Sequence, residues 1–151
     1  MLLDGRTVLV TGVLTPSSIA FACARLAVEQ GAEVVLSSFG RAMAVTERAA
    51  SRLPGTVDVV ELDLTYEAHL DRLAATLGER WGRLDGVVHA VGFAPEDCLG
   101  HDDGLLGASW EDVAVALRAS TYSFPALTRA ARPLLGEGSS IVGLDFDARV
   151  A

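Results

Sequence analysis

Lysine is absent from this chain: all twelve basic residues are arginine, so no Tyr-xxx-Lys pair can form anywhere in it. Cationic surplus is absent too, since those twelve face 20 Asp and Glu for a formal net charge of −8. Such a surface has nothing with which to neutralise the phosphates of a nucleic acid or of anionic lipid, and neither partner is expected. Cysteine is scarce. Cys23 stands in an apolar helical run and Cys98 in a glycine-rich loop, with no CxxC spacing and no disulfide framework, which suits a reducing compartment. No apolar run reaches the ~18–20 residues that a membrane span requires. Met1 to Gly5 leads straight into a strand, without the basic and apolar stretches of a secretory signal, so a cytoplasmic location is expected.

What is there is a chain of 151 residues, half of them apolar, enough for one domain with a substantial core. Short β-branched runs recur at Thr7 to Val10, Val34 to Leu36, Val57 to Leu62, Gly86 to Val91 and Ser140 to Leu144. Several are apolar at consecutive positions, as strands covered on both faces are. Between them lie helical stretches. Ser17 to Gln30 is apolar almost all round and stops at Gly31, and Arg41 to Leu53 is weakly amphipathic and stops before Pro54. Glu67 to Trp81 sets Leu70, Leu73, Ala74, Leu77 and Trp81 on one stripe. Ser109 to Leu135 reads as one long helix or a kinked pair, disturbed before Pro125 and ended by Gly136 to Gly138. Strand and helix alternating through five strands is the pattern of an α/β fold, a Rossmann-type doubly wound parallel sheet. The irregular stretch from Phe93 to Gly107 follows the fourth strand, on the side where such a sheet places ligands.

The first strand-to-helix turn reads Thr11-Gly12-Val13-Leu14-Thr15-Pro16-Ser17-Ser18-Ile19-Ala20. Gly12 gives the tight turn, and a pyrophosphate would meet free amides, the positive end of the helix and the hydroxyl of Ser17 or Ser18. It is not a GxGxxG fingerprint, because Ser18 and Ala20 stand where later glycines would. From this segment alone, Ser17 as a simple helix cap explains the pattern as well.

Resemblance adds to this reading. The run Thr11 to Phe21 resembles the divergent nucleotide loop of bacterial enoyl-acyl-carrier-protein reductases, within the short-chain dehydrogenase superfamily. Glu61-Leu62-Asp63-Leu64, the run Leu84 to Phe93, and Gly138 to Asp147 agree with it in order and spacing, so the similarity covers the chain. It implies NADH as cofactor, with Gly12, Ser18 and Ile19 at the pyrophosphate and Asp63 bonded to the adenine amino group. It also implies Leu64 packed nearby, Phe39 stacked on adenine, and Val91 and Gly92 on the adenosine ribose side. Phe93 and Phe146 would face the substrate, an enoyl thioester carried on acyl carrier protein or CoA. The alternative for Asp63 is a cap on the helix beginning near Glu67, a role compatible with the first.

The tip of the second strand, Ser37-Ser38-Phe39-Gly40-Arg41, has no carboxylate for a ribose 2′-hydroxyl. Arg41 there leaves NADPH open, and the preference for NADH is what the resemblance implies. After the fifth strand, Leu144-Asp145-Phe146-Asp147 replaces the catalytic Ser of ordinary alcohol dehydrogenases, which disfavours a ketone reductase. Ser139 and Ser140 sit at the wrong end of that strand to replace it.

Other tempting residues have plainer readings. His89 is expected to be buried and hydrogen-bonded, Tyr122 to lie on the long helix, and His101, Asp102 and Asp103 to form a solvated loop and not a metal site. The resemblance implies a catalytic Tyr and Lys beyond Ala151, so residues 1–151 are read as a cofactor-binding domain without a catalytic residue. A fifth strand left as an edge then predicts poor stability or aggregation, and homo-oligomers in the family leave assembly here open. The reading from a different class is a non-catalytic nucleotide-binding or partner protein built on the same sheet.

Overall fold

The computed structural model describes residues 1–100 and 104–145. Its strands are β1 (Thr7–Thr11), β2 (Glu33–Ser38), β3 (Asp58–Glu61), β4 (Leu84–His89) and β5 (Leu135–Gly143). The helices are α1 (Ile19–Glu29), α2 (Met43–Ala50), α3 (Glu67–Trp81), α4 (Trp110–Leu117) and α5 (Ser123–Ala131). All strand pairs are parallel, in the order β3-β2-β1-β4-β5. This is the Rossmann-type α/β sheet that the alternating pattern predicts.

Strand β1 is central and buried at all five positions, and its pleat divides the core. Val8 and Val10 join one apolar cluster with Ala20, Phe21, Ala24 and Ala27 of α1 and Ala49 and Ala50 of α2. Leu9 points the other way, with Val35 and Val87, into Leu70, Leu73 and Leu77 of α3 and Ala126, Leu127 and Ala131 of α5. The alanines of α1 let that helix approach the sheet closely. The predicted stripe of α3 is the one it buries, and Trp81 closes it at the far end by donating its indole N–H to Glu33 at 2.8 Å.

The fourth connection, from β4 to β5, follows one of its two expected forms and departs from expectation at its end. Of the long helix and the kinked pair expected over Ser109 to Leu135, the pair is found: α4 and α5 are separated by a π-helical turn at Arg118–Tyr122, shortly before Pro125. Pro125 falls in the first turn of α5, where its missing N–H costs no ladder bond. The helix then ends at Ala131 and not at the glycines, because Pro133 cannot donate to the carbonyl four residues back, and the chain tightens into a short 3₁₀ turn. Gly136 to Gly138 belong to an excursion at the start of β5, between the pairings Leu84↔Leu135 and Gly86↔Ser140. Ser139 closes it, accepting from Gly136 N–H at 3.0 Å and donating to the Leu84 carbonyl at 2.8 Å. Strand β4 stops at His89, which leaves Val91 on the loop beyond it. The loop itself holds short 3₁₀ turns at Glu96–Cys98 and Gly104–Gly107. Among the described residues no helix is long and apolar enough to cross a membrane.

The amino edge of the sheet is locked by Asp85. Its carboxylate accepts from Arg6 at 2.8 Å, Thr7 N–H at 2.9 Å and the Thr7 hydroxyl at 3.1 Å, and pairs with Arg83 at 3.3 Å. Burial pushes this carboxyl up, but the Thr7 amide, Arg6, the Thr7 hydroxyl and Arg83 together outweigh it and hold the group below its ordinary 3.8. A depressed folded-state pKa contributes stability above the unfolded value and loses it as pH falls through the folded one. Asp85→Asn is therefore expected to lower stability by about 1–2 kcal/mol at neutral pH. The gap between variant and wild type narrows below pH 3.8. Denaturant unfolding across that pH range checks both statements, and a gap that stays constant into acid refutes the second.

Candidate cofactor-binding site

The order of the strands reverses at β1: from it they proceed outward through β2 to β3 on one side and through β4 to β5 on the other. A crevice outside the carboxyl ends of strands at such a point is where this architecture binds ligands. Its floor is the turn after β1. Gly12 takes φ +80°, and a Cβ built there would stand 2.0 Å from the Ala90 carbonyl oxygen. The position thus requires glycine twice over, for its backbone angle and for the approach of the chain leaving β4. Thr11 stitches the same two segments, its buried hydroxyl donating to the Val88 carbonyl at 3.1 Å and accepting from Ala90 N–H at 3.2 Å. Val13 is fully buried, and Thr46 of α2, also fully buried, donates to its carbonyl at 2.7 Å. Neither threonine was marked by a local motif.

The loop then rises to α1. Ser18, not Ser17, is the cap: its Oγ accepts from Phe21 N–H at 3.2 Å and donates to the Thr15 carbonyl at 2.8 Å. Ser17 pairs with the Thr15 hydroxyl at 2.9 Å. With Phe21 satisfied, the amides of Ile19 and Ala20 have no carbonyl one turn back and stand at the positive end of the helix. The first turn of α1 has no acidic residue, whereas α3 begins with Glu67 and α4 with Glu111 and Asp112. An anion fits at α1 for that reason, even on a chain of net charge −8.

On the β2–β3 side, Phe39 and Asp63 stand just past paired strand ends, Ser38 lying opposite Glu61. Phe39 is about half exposed at 47%, on extended backbone, with Ser37 and Ser38 buried beneath it. Arg41 follows on an exposed 3₁₀ turn. Asp63 does not cap α3, whose cap position is Tyr66 without a side-chain bond. Its Oδ1 instead accepts from the Thr65 amide at 2.8 Å and the Thr65 hydroxyl at 2.7 Å, a local turn that fixes the carboxylate. His69 Nδ1 accepts from the Asp63 amide at 3.0 Å. Leu64 is buried at 6% within the α3-side core, so it offers a ligand backbone and little side chain.

On the β4 side, Val91 packs against the same core, Gly92 follows, and Phe93 is 56% exposed. His89 is buried as expected, at 2.8 Å from Ser123 Oγ and edge-on to Phe124. Ser123 spends its proton on the Ala119 carbonyl at 2.6 Å, so His89 Nε2 is the donor, and burial pushes the imidazole pKa down. Tyr122 is half exposed on the π-helical turn and accepts from Arg129 at 3.5 Å, away from the crevice. Phe146 and the run His101 to Asp103 lie outside the described residues. No cluster of three metal-ligating side chains occurs among those described. A groove of about 490 Å³ lies elsewhere, on the sheet face beside α1 between Val10, Cys23, Val88 and Val142.

The sequence was compared with known proteins. Residues 12–151 match the family described as enoyl-(acyl carrier protein) reductase. The chain is 43% identical to the NADH enoyl-acyl-carrier-protein reductase of Mycolicibacterium smegmatis over 150 residues, which is 97% of this chain and 55% of that protein. With the reductase of the same description from Mycobacterium avium it shares 41% over 149 residues, 97% of this chain and 54% of the relative. With the FabI reductase of Escherichia coli it shares 34% over 145 residues, 95% and 55% respectively. The chain thus spans about 55% of the length of these relatives.

Two glycine variants separate the causes at the floor of the crevice. Gly12→Ala is expected to cost about 2–3 kcal/mol, through its positive φ and the Ala90 carbonyl together. Gly40→Ala, at φ +51° with nothing within 4 Å of its Cβ, costs only the backbone part, about 1 kcal/mol. Chemical unfolding midpoints measure both, and equal losses would show that the Ala90 contact carries nothing.

Proposed function

The chain belongs to the enoyl-acyl-carrier-protein reductase family, and from that premise we propose that residues 1–151 form the cofactor-binding domain of an NADH-dependent enoyl thioester reductase. The observation that carries the reading is the approach of Gly12 to Ala90, which opens the crevice where the strand order reverses. In this reading the adenine lies between the face of Phe39 and the second oxygen of Asp63, the one not used by Thr65. The pyrophosphate meets the amides of Ile19 and Ala20 beside Gly12 and the Ser18 cap. After β4, Val91 and Gly92 line the adenosine ribose side, and Phe93 follows toward the other half of the dinucleotide. The bound cofactor would supply hydride, transferred to the β-carbon of a trans-2-enoyl group on acyl carrier protein or CoA, while a proton completes the saturated product.

The chain's own residues bind and orient; none is assigned to stabilise the enolate. Tyr66 follows the edge strand β3, with β2 and β1 between it and β4, which Phe93 follows, and the Tyr122 hydroxyl accepts from Arg129. Lysine does not occur. We therefore assign binding to this chain, and turnover to the family's Tyr and Lys in the part of the relatives that the chain does not span. Both cysteines are unpaired, consistent with the cytoplasm, where such a reductase would work.

Calorimetry on the chain tests this directly. NADH is expected to bind with a dissociation constant on the order of micromolar. Asp63→Asn retains an acceptor for the Thr65 turn but replaces the oxygen offered to adenine with a donor, and is expected to weaken NADH about tenfold. A chain that takes up no NADH, or an Asp63→Asn variant that binds as tightly as wild type, contradicts the assignment. Mixing the NADH complex with an enoyl thioester and following the NADH absorbance separates binding from turnover.

A further inference from the structure

Helices α4 and α5 are one helix widened in the middle. At Arg118–Tyr122 the Ser123 N–H reaches back five residues to the Arg118 carbonyl. Such a turn holds one residue more than an α-turn and shifts the side chains after it around the axis. Here it sets two serines, three residues apart, against the chain leaving β4. Ser123 holds His89, the last residue of that strand. Ser120 holds the loop: its Oγ accepts from Phe93 N–H at 2.9 Å and donates to the Phe93 carbonyl at 2.9 Å. One hydroxyl thus takes both polar groups of one residue, which only a side chain that donates and accepts can do. Gly92 lies beside it, the Cβ it lacks being 4.0 Å from the same oxygen.

We propose that Ser120 is a positioning residue for the nicotinamide half of the cofactor, fixing the Phe93 peptide in the path that this half must meet. The proposal rests on the NADH reading above. A dinucleotide laid across the carboxyl edge passes from Phe39 and Asp63 beyond β2 and β3 to the turn at Gly12, which touches Ala90. Phe93 is three residues further on, so its peptide is reached only by the part of the ligand past the pyrophosphate. An alanine at position 120 leaves the Phe93 amide and carbonyl without this partner and the segment free to shift, while the Gly12 turn, Asp63 and Phe39 keep their own contacts.

The test compares NADH with ADP, which has the adenosine and pyrophosphate but no nicotinamide half, in calorimetry on the wild-type chain and on Ser120→Ala, Ser120→Thr and Ser120→Cys. Ser120→Ala is expected to weaken NADH roughly tenfold and to leave ADP within about twofold. Ser120→Thr, which keeps the hydroxyl, restores NADH binding. Ser120→Cys, close in size but a weak hydrogen-bonding group, shows the same NADH-selective loss and serves where the alanine variant does not fold. Equal losses for NADH and ADP, or no loss for either, overturn the positioning role while leaving the cofactor assignment in place. A wild-type chain that does not bind NADH overturns the assignment and the positioning role with it.

Discussion

The approach of Gly12 to Ala90 is the constraint on which the rest of the site depends. Parallel strands β1 and β4 lie side by side although they are far apart in sequence; what brings them together is the burial of Leu9 against Val87 on one face and of Val10 beside Val88 on the other. Past the ends of the ladder the two chains must diverge, one into α1 and one into the loop, and the space between them becomes the crevice. Thr11 holds them together for one residue more, and only a residue without Cβ can then turn away beneath the Ala90 carbonyl. Any larger side chain would push the two segments apart and displace both the Ser18 cap and the Gly92–Phe93 segment.

The parts of this arrangement legible in the sequence are those with a period or a local rule. The stripe of α3 repeats every three or four residues, so its bounds, Glu67–Trp81, are as the spacing predicts. β1 is a continuous apolar run because it is covered on both faces. Gly12 is legible because it follows a strand and precedes a helix. What the sequence hides are single hydroxyls whose partner is a backbone group far along the chain. Thr46 reaches Val13, Thr11 reaches Val88 and Ala90, and Ser120 reaches Phe93. No spacing rule marks them, since each becomes meaningful only when the sheet has placed its partner. The misread boundaries have the same origin. Glycines at 136–138 look like a helix stop, but Pro133 acts first, and pairing with β4 recruits the glycines into the start of β5.

Charge placement explains how a chain of net charge −8 offers a place to an anion. In a parallel α/β sheet the helices run back against the strands, so helix C-termini gather at the amino edge and N-termini at the carboxyl edge. The pairs Arg6–Asp85, Arg83–Asp85, Arg80–Asp58 and Arg25–Glu29 all lie at the amino edge. The two pairs exposed on both sides, Arg80–Asp58 and Arg25–Glu29, individually contribute little to stability. Their placement matters more, because Arg80 sits in the last turn of α3, where a cation suits the dipole. The acids that suit the other ends are present at α3 and α4 but absent from α1. Helices α2 and α5 lack such acids as well, but α1 is the helix that follows directly on the Gly12 turn. The positive potential there comes from backbone amides, which are fixed by the fold and need no flexible side chain to be ordered when a ligand arrives. Binding an anion through them therefore depends on the rigidity of the Val13–Ser18 loop more than on any basic residue, and the buried Thr46 bond to Val13 is the contact that supplies it.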